Sequence, residues 1–233
     1  MNCFFCPVLP GPTNLVTVDG AEARHAATSR RQKTGERVLL IDGRGRRAEA
    51  TIVAVDRSAM ELRIESVEQL ARPRPALALA TAVAKGDRQG TLLDMATQIG
   101  IARYIPLLCD HGVVKPDAHN VPRWQRICTQ ACKQSHNPYL PEIGSAVSPL
   151  EFASAMNDAG TPLYLAAPGG DPLPPQSGSE RVAVCIGPEG GFSSREISDL
   201  IGAGARPLSL GPNILRIETA AIAAVSIFNV RRG

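Results

Sequence analysis

Val182-Ala-Val-Cys-Ile186, followed at once by Gly187-Pro-Glu-Gly-Gly-Phe-Ser-Ser-Arg-Glu-Ile197, decides the fold. Five apolar residues without alternation suit a strand buried on both faces of a parallel sheet. Three glycines break that run, and Ser193 and Glu196 stand at capping-box spacing, so a helix opens there. The same pattern recurs upstream. Ala76 to Ala84 is an unbroken apolar run, Lys85-Gly-Asp-Arg88 reads as a loop, Gly90 to Ile99 as a helix and Ala102 to Leu108 as the next strand. Trp124 to Gln134 reads as another helix, Pro162 to Ala167 as a strand, and Pro168 to Gly178 as a flexible loop. Strands alternating with helices predict an α/β domain with a mainly parallel sheet over residues 76–233.

Residues 1–72 read differently. Two β-rich runs between Arg37 and Val55 meet at Asp42-Gly43, a hairpin signal, and Met60 to Val67 alternates apolar and charged residues. His25 to Arg31 suits a short helix feeding this meander, and the sum is a small β-barrel-like domain closed off by Arg72-Pro-Arg-Pro75.

Charge follows the same division. Residues 1–75 hold 12 Lys/Arg against 9 Asp/Glu, and 11 of those 12 bases are arginine; residues 76–233 hold 13 of each sign. Arginine forks onto phosphate, so the bias suits an RNA-facing module, although a solvated basic face has the same composition. The candidate phosphate contacts are Arg30, Arg31, Lys33, Arg44, Arg46 and Arg47, with Lys85 and Arg88 nearer the second domain's loops. Aromatic content of 4% argues against a surface built on stacking platforms. Cys3 and Cys6 have metal-like spacing without a second ligand pair, and Cys128 and Cys132 lie one helical turn apart, so the cysteines read as structural and no metal is expected. No secretory signal and no apolar run of spanning length is evident, which predicts a cytoplasmic protein without a membrane partner.

The glycine loop after Ile186 lies where α/β sheets bind ligands, at the carboxyl end of a strand. Spacing alone leaves it open whether the loop binds a ligand or only turns, because it is neither a dinucleotide nor a P-loop fingerprint. A second stretch, Leu208-Ser-Leu-Gly-Pro-Asn-Ile-Leu-Arg-Ile-Glu-Thr-Ala220, leads from a short strand through Gly211 into an Ala-rich C-terminal helix. Glu218 suits the positive end of that helix dipole. Arg216, among Ile214, Leu215 and Ile217, is expected to pair with a carboxylate or to reach a ligand.

These paired motifs, together with Lys85-Gly-Asp-Arg88, Gly100-Ile-Ala-Arg-Tyr-Ile-Pro106, Ala131-Cys-Lys-Gln-Ser135 and Leu140-Pro-Glu-Ile143, resemble the bacterial small-subunit ribosomal RNA uridine-N3 methyltransferases of the SPOUT class. The resemblance implies a PUA-like RNA-binding barrel followed by a methyltransferase domain with a C-terminal trefoil knot, a homodimer, and 16S rRNA within the 30S subunit as substrate. It implies S-adenosylmethionine held by Ala166, Ala167 and Pro168, by Ile186, Gly187, Pro188, Glu189, Gly190 and Gly191, and by Leu210, Gly211, Ile214, Leu215, Arg216, Thr219 and Ala220. The chain departs from the family pattern at Met95, Gln98, His111 and Asn137, all away from those loops. For methyl transfer to uridine N3, Arg216 is the candidate that stabilises charge on the uracil carbonyl, with Glu218 or Glu189 orienting it or taking the proton. An Arg216–Glu218 pair with a purely structural role is the alternative. A ribose 2′-O-methyltransferase and an inactive RNA-binding paralogue are the rival functions. Leu215-Arg-Ile-Glu-Thr219 stands where the ribose enzymes carry Ser-Leu-Asn, which favours the base.

Overall fold

The computed structural model describes residues 1–19, 32–56, 59–172 and 179–230. The chain divides into two compact units, Met1–Arg72 with Thr129–Leu140, and Pro73–Cys128 with Pro141–Gly233.

The first unit is a curled five-stranded sheet with strand order β1-β3-β4-β5-β2. Its strands are β1 (Asn2–Phe5), β2 (Leu15–Asp19), β3 (Arg37–Ile41), β4 (Arg46–Val55) and β5 (Ala59–Gln69). The hairpin expected at Asp42-Gly43 joins β3 and β4. Asp42 Oδ1 accepts the backbone N–H groups of Arg44 at 2.7 Å and Arg46 at 3.0 Å, and Gly43 and Gly45 take positive φ. Two register shifts between β4 and β5, at Glu49/Ala50 and Ile52/Ala54, add twist to the longest pair. Alternating residues Val38, Leu40, Ala48, Ala50, Ile52, Leu62 and Ile64 fill the interior. Cys3 lies in β1, paired in parallel with β3, Cys6 follows directly after the strand, and both cysteines are buried core residues. Segment Thr129–Leu140, from the second half of the sequence, also belongs to this unit. Cys132 packs with Cys3, Leu39 and Ile41, Gly45 N–H donates to Pro138 O, and Tyr139 OH donates to Leu70 O at 2.6 Å.

The second unit is built on a six-stranded sheet, order β11-β9-β10-β6-β7-β8, in which every pairing is parallel. Its strands are β6 (Ala76–Ala82), β7 (Arg103–Leu107), β8 (Glu142–Ile143), β9 (Leu163–Asp171), β10 (Arg181–Ile186) and β11 (Arg206–Leu208). The helices are α1 (Arg88–Ile99), α2 (Val121–Ser135, whose last turns belong to the first unit), α3 (Pro149–Asp158), α4 (Ser194–Gly202) and α5 (Ile217–Val230). The α/β class expected from the apolar runs is what forms. The differences are local: α1 starts at Arg88, and β9 continues through Pro168 to Asp171, a stretch read from the sequence as loop. The expected helix at His25–Arg31 lies outside the described residues.

Helix α5 packs on α1, β6 and β10, and its Phe228 ring sits 5.2 Å from that of Tyr164, near the start of β9. The helix therefore runs antiparallel to the strands, with its N-terminus at their carboxyl ends. Beside it, at the end of β6, a fully buried polar chain fixes the start of α1. Gln89 Nε2–H donates to the Tyr104 hydroxyl at 2.9 Å, that hydroxyl lies 3.2 Å from Thr81 Oγ1, and Thr81 O–H donates to Ala82 O at 2.7 Å. Gln89 Oε1 accepts the N–H of Ala84 at 3.0 Å. Burial pushes the Tyr104 phenol up to about 12, so it stays a neutral donor. Trp124 closes this corner edge-on against Tyr104, with centroids 5.8 Å apart. Replacing Tyr104 by Phe leaves the Gln89 amide without its buried acceptor, an expected loss of about 1–3 kcal/mol. Urea unfolding of Tyr104→Phe with an unchanged m-value checks it.

Candidate active site

Parallel βα units bring the strands' carboxyl ends and the helices' N-termini to one edge, and the sequence-predicted site residues of the second unit gather there. The glycine loop begins at Ile186, the buried last residue of β10. Its three glycines differ in what the backbone demands of them. A Cβ on Gly187 would lie 2.9 Å from the Phe192 ring, and Gly191 has φ +74° at the end of a turn closed by Gly191 N–H to Pro188 O. Gly190 has neither constraint: a Cβ there would make only an ordinary 3.5 Å contact with His111. Open space where a Cβ would stand is found instead at Gly191.

The segment after β7 braces that loop. Asp110 accepts from Ser193 Oγ at 2.6 Å and from Arg195 Nη2 at 3.1 Å, while its own N–H donates to buried Glu196 at 2.9 Å. Ser193 and Glu196 complete the capping box expected at the start of α4. The Ser193 hydrogen bond, with Arg195 beside it, holds the Asp110 carboxyl below its ordinary value. Burial and the neighbouring Glu196 and Asp110 push the Cys109 thiol up to about 12, which removes it as a nucleophile. His111 Nδ1 lies 3.2 Å from the Gly191 carbonyl. Sequence reasoning missed this brace, because Asp110 and Ser193 are 83 residues apart.

Glu189, expected beside Arg216, is elsewhere engaged: it pairs with Arg88 Nη1 at 3.2 Å and ties the glycine loop to the β6–α1 loop. Arg88, expected to face RNA, thus has a carboxylate partner, while Lys85 is exposed.

Ala166 and Ala167, expected as strand, and Pro168, expected as loop, all lie inside β9. Leu165 is in register with Pro207 and Asp171 with Leu208, so the five residues Ala166 to Gly170 bulge out against a single step of β11. A Cβ on Gly170 would fall 2.7 Å from the Leu208 nitrogen, which explains the glycine. From β11, at the sheet edge, the chain must reach α5 over β6 and β10, so residues 209–216 cross the ends of β9 and β10. Along this crossing Leu210 and Leu215 are half-buried, Gly211 has φ +128°, and Ile214 is 88% exposed. Ala220 is buried; Thr219 and Arg216 are exposed.

The expected Arg216–carboxylate pair does not form. Among the described residues Arg216 has no ion pair. Glu218, in the first turn of α5, keeps Oε2 buried with no donor among the described residues. The physical reason is their spacing at the helix entrance: two residues apart, they do not share a face.

Of the first-unit basic residues, Lys33 and Arg44 are exposed, Arg46 donates to Leu9 O, and Arg47 pairs with Glu68 at 2.6 Å. Arg30 and Arg31 lie outside the described residues. Of the departures from the family pattern, His111 lies not away from the glycine loop but against its Gly190 and Gly191, because the segment after β7 folds over that loop; the others are accommodated locally. Met95 is 42% exposed on α1, Gln98 donates to Asp94 at 2.9 Å, and Asn137 Oδ1 accepts from Tyr139 N–H at 3.0 Å.

Comparison with known proteins agrees with this geometry. Residues 72–229 match the RNA methyltransferase domain family, and residues 18–65 match the RNA methyltransferase PUA domain. The ribosomal RNA small subunit methyltransferase E of Synechocystis sp. is 30% identical, over 92% of this chain and 72% of the relative. The chain belongs to this methyltransferase family. The enzyme of the same name from Mycobacterium bovis is 28% identical over 97% of this chain and 90% of its own. Among solved structures, a methyltransferase of Legionella pneumophila in complex with the bound cofactor SAM superposes with a TM-score of 0.84, at 30% identity, covering 98% of this chain and 97% of that one. A Neisseria gonorrhoeae member shares the fold with a TM-score of 0.91 at 24% identity, covering 99% and 98% of the two chains.

Two outcomes test this geometry. Gly170→Ala drives a methyl group into the Leu208 backbone and is expected to lower the melting temperature, whereas Gly190→Ala leaves it within about 0.5 kcal/mol of wild type. The Asp110 pKa is lower folded than unfolded, so its stabilisation is full above the ordinary carboxylate value near ~3.9 and is lost as pH falls through the lowered folded value. Asp110→Asn should therefore lose stability less steeply than wild type below about pH 4, read by thermal melts across that range.

Proposed function

We propose that this protein transfers a methyl group from S-adenosylmethionine to N3 of a uridine in 16S rRNA, acting as a homodimer on the 30S subunit in the cytoplasm. The observation that carries the reading is the convergence of the β9 bulge, the glycine loop and the 209–216 crossing on one sheet edge, in a fold shared with the cofactor-bound Legionella protein. The residues present fit the cofactor. Gly191 and Gly211, both at positive φ, have open space where a Cβ would stand and admit close approach, and the small residues Ala166 and Ala167 line the adjacent bulge. The crossing segment is the part of the chain that would thread the trefoil knot, and exposed Lys33 and Arg44 of the PUA-like unit would meet phosphate.

When bound, the cofactor supplies a methyl group activated on a sulfonium. The chain's own task is to hold the uracil in line and to help N3 lose its proton, an orienting effect worth several kcal/mol. Arg216, exposed at the mouth of the crossing and without an ion pair among the described residues, is free to stabilise the negative charge that develops on the uracil carbonyl. Glu189 is committed to Arg88, which leaves Glu218, half-buried in the first turn of α5, as the acceptor for the N3 proton.

Arg216→Ala should lower single-turnover methylation about 10²–10³-fold with cofactor affinity retained. Nucleoside mass spectrometry of rRNA from cells lacking the protein should show loss of 3-methyluridine. Loss of a 2′-O-methylated nucleoside instead would overturn the base-methylation reading, and absence of cofactor binding in calorimetry would overturn the enzyme.

A further inference from the structure

We infer that the first turns of α2 form a second RNA contact, a phosphate-binding strip on the methyltransferase unit that leads to the active-site edge. The inference rests on the proposed function for its partner and adds residues that the N-terminal arginine bias did not point to. Residues 76–233 carry equal numbers of basic and acidic residues, so a concentration of cations at one place there is not a by-product of overall charge.

The strip is traced by contacts within this unit. Arg88 pairs with Glu189 of the glycine loop. One residue before it, Asp87 lies 3.6 Å from Arg123 Nη2, which puts the α2 side chain beside the β6–α1 loop. Arg126 follows one turn along and is its neighbour on the same face, opposite buried Trp124 and Cys128. Its Nε–H donates to Pro122 O at 3.3 Å, which fixes the stem and leaves the terminal donors facing outward. Exposed Lys85 completes the group.

Asp87, the carboxylate that pairs with Arg123 among the described residues, is a weak competitor. Asp87 is fully exposed and Arg123 is 60% exposed, so the pair is solvent-screened and exchanges readily for a phosphate. Phosphate contact by arginine is bidentate and releases condensed counterions, a gain the Asp87 pairing lacks. The strip therefore grips the RNA backbone next to the nucleotide being modified, at a place distinct from the PUA-like unit. It orients the strand and reads no base.

The test is an equilibrium binding series with a 16S rRNA transcript between 50 and 200 mM KCl, the range over which such contacts are sensitive. Arg123→Gln/Arg126→Gln should make the slope of log Kobs against log salt shallower by about 1.4–1.8, which is two phosphates at roughly 0.7–0.9 each. Cofactor affinity by calorimetry should be unchanged, since neither residue touches the glycine loop. The control is Arg181→Gln/Arg206→Gln, at the first residues of β10 and β11 on the opposite sheet edge, which should leave the slope as in wild type. An unchanged slope in the α2 variant, or an equal drop in the control, overturns the strip. Failure of wild type itself to bind the transcript or the cofactor would instead count against the proposed function.

Discussion

All six strands of the second unit point the same way, and this one constraint organises the candidate site. Parallel pairing forces each strand to be followed by a return segment on the sheet's face, so strand carboxyl ends and helix N-termini collect at a single edge. The glycine loop after β10, the bulge within β9, the Lys85-Gly-Asp loop after β6 and the entrance to α5 are neighbours for that reason alone. The helix N-termini at this edge add their partial positive charge to it, which at α4 is answered by the Ser193–Glu196 capping box.

The loops at that edge hold their shape through contacts made by other segments. Asp110 ties the end of β7 to Ser193, Arg195 and Glu196, and Arg88 ties the start of α1 to Glu189. Beneath them, the buried chain from Gln89 through Tyr104 to Thr81 anchors α1 to β6 and β7. A site assembled from rigid element ends and cross-braced loops loses little entropy on binding a ligand. Among the described residues, Arg216 and the buried oxygen of Glu218 have no such partner and stand out against that background.

The sequence made much of the architecture legible. The uninterrupted apolar runs at Ala76 and Val182 marked parallel strands, and the capping box at Ser193 marked a helix start, because both signals are local. Cys3 to Cys6 did not announce itself as a strand: its pairing partner is β3, more than thirty residues away, and the four residues show no clear period. Asp110 was invisible for the same reason. The reading of Pro168 to Asp171 as loop missed the end of a bulged strand, since proline and glycine signal a break but cannot tell a turn from a bulge.

What the sequence determined by itself was the succession of strands and helices and the position of the glycine-rich turns between them, encoded by short-range periodicity and turn chemistry. What only the tertiary structure decided was partnership. It assigned Glu189 to Arg88 rather than to Arg216, placed Thr129–Leu140 with the N-terminal sheet, and brought Arg123 beside Asp87. Ion pairs and packing depend on which surfaces a fold brings within a few ångströms, and residues thirty to a hundred positions apart leave no periodic trace of that in the chain.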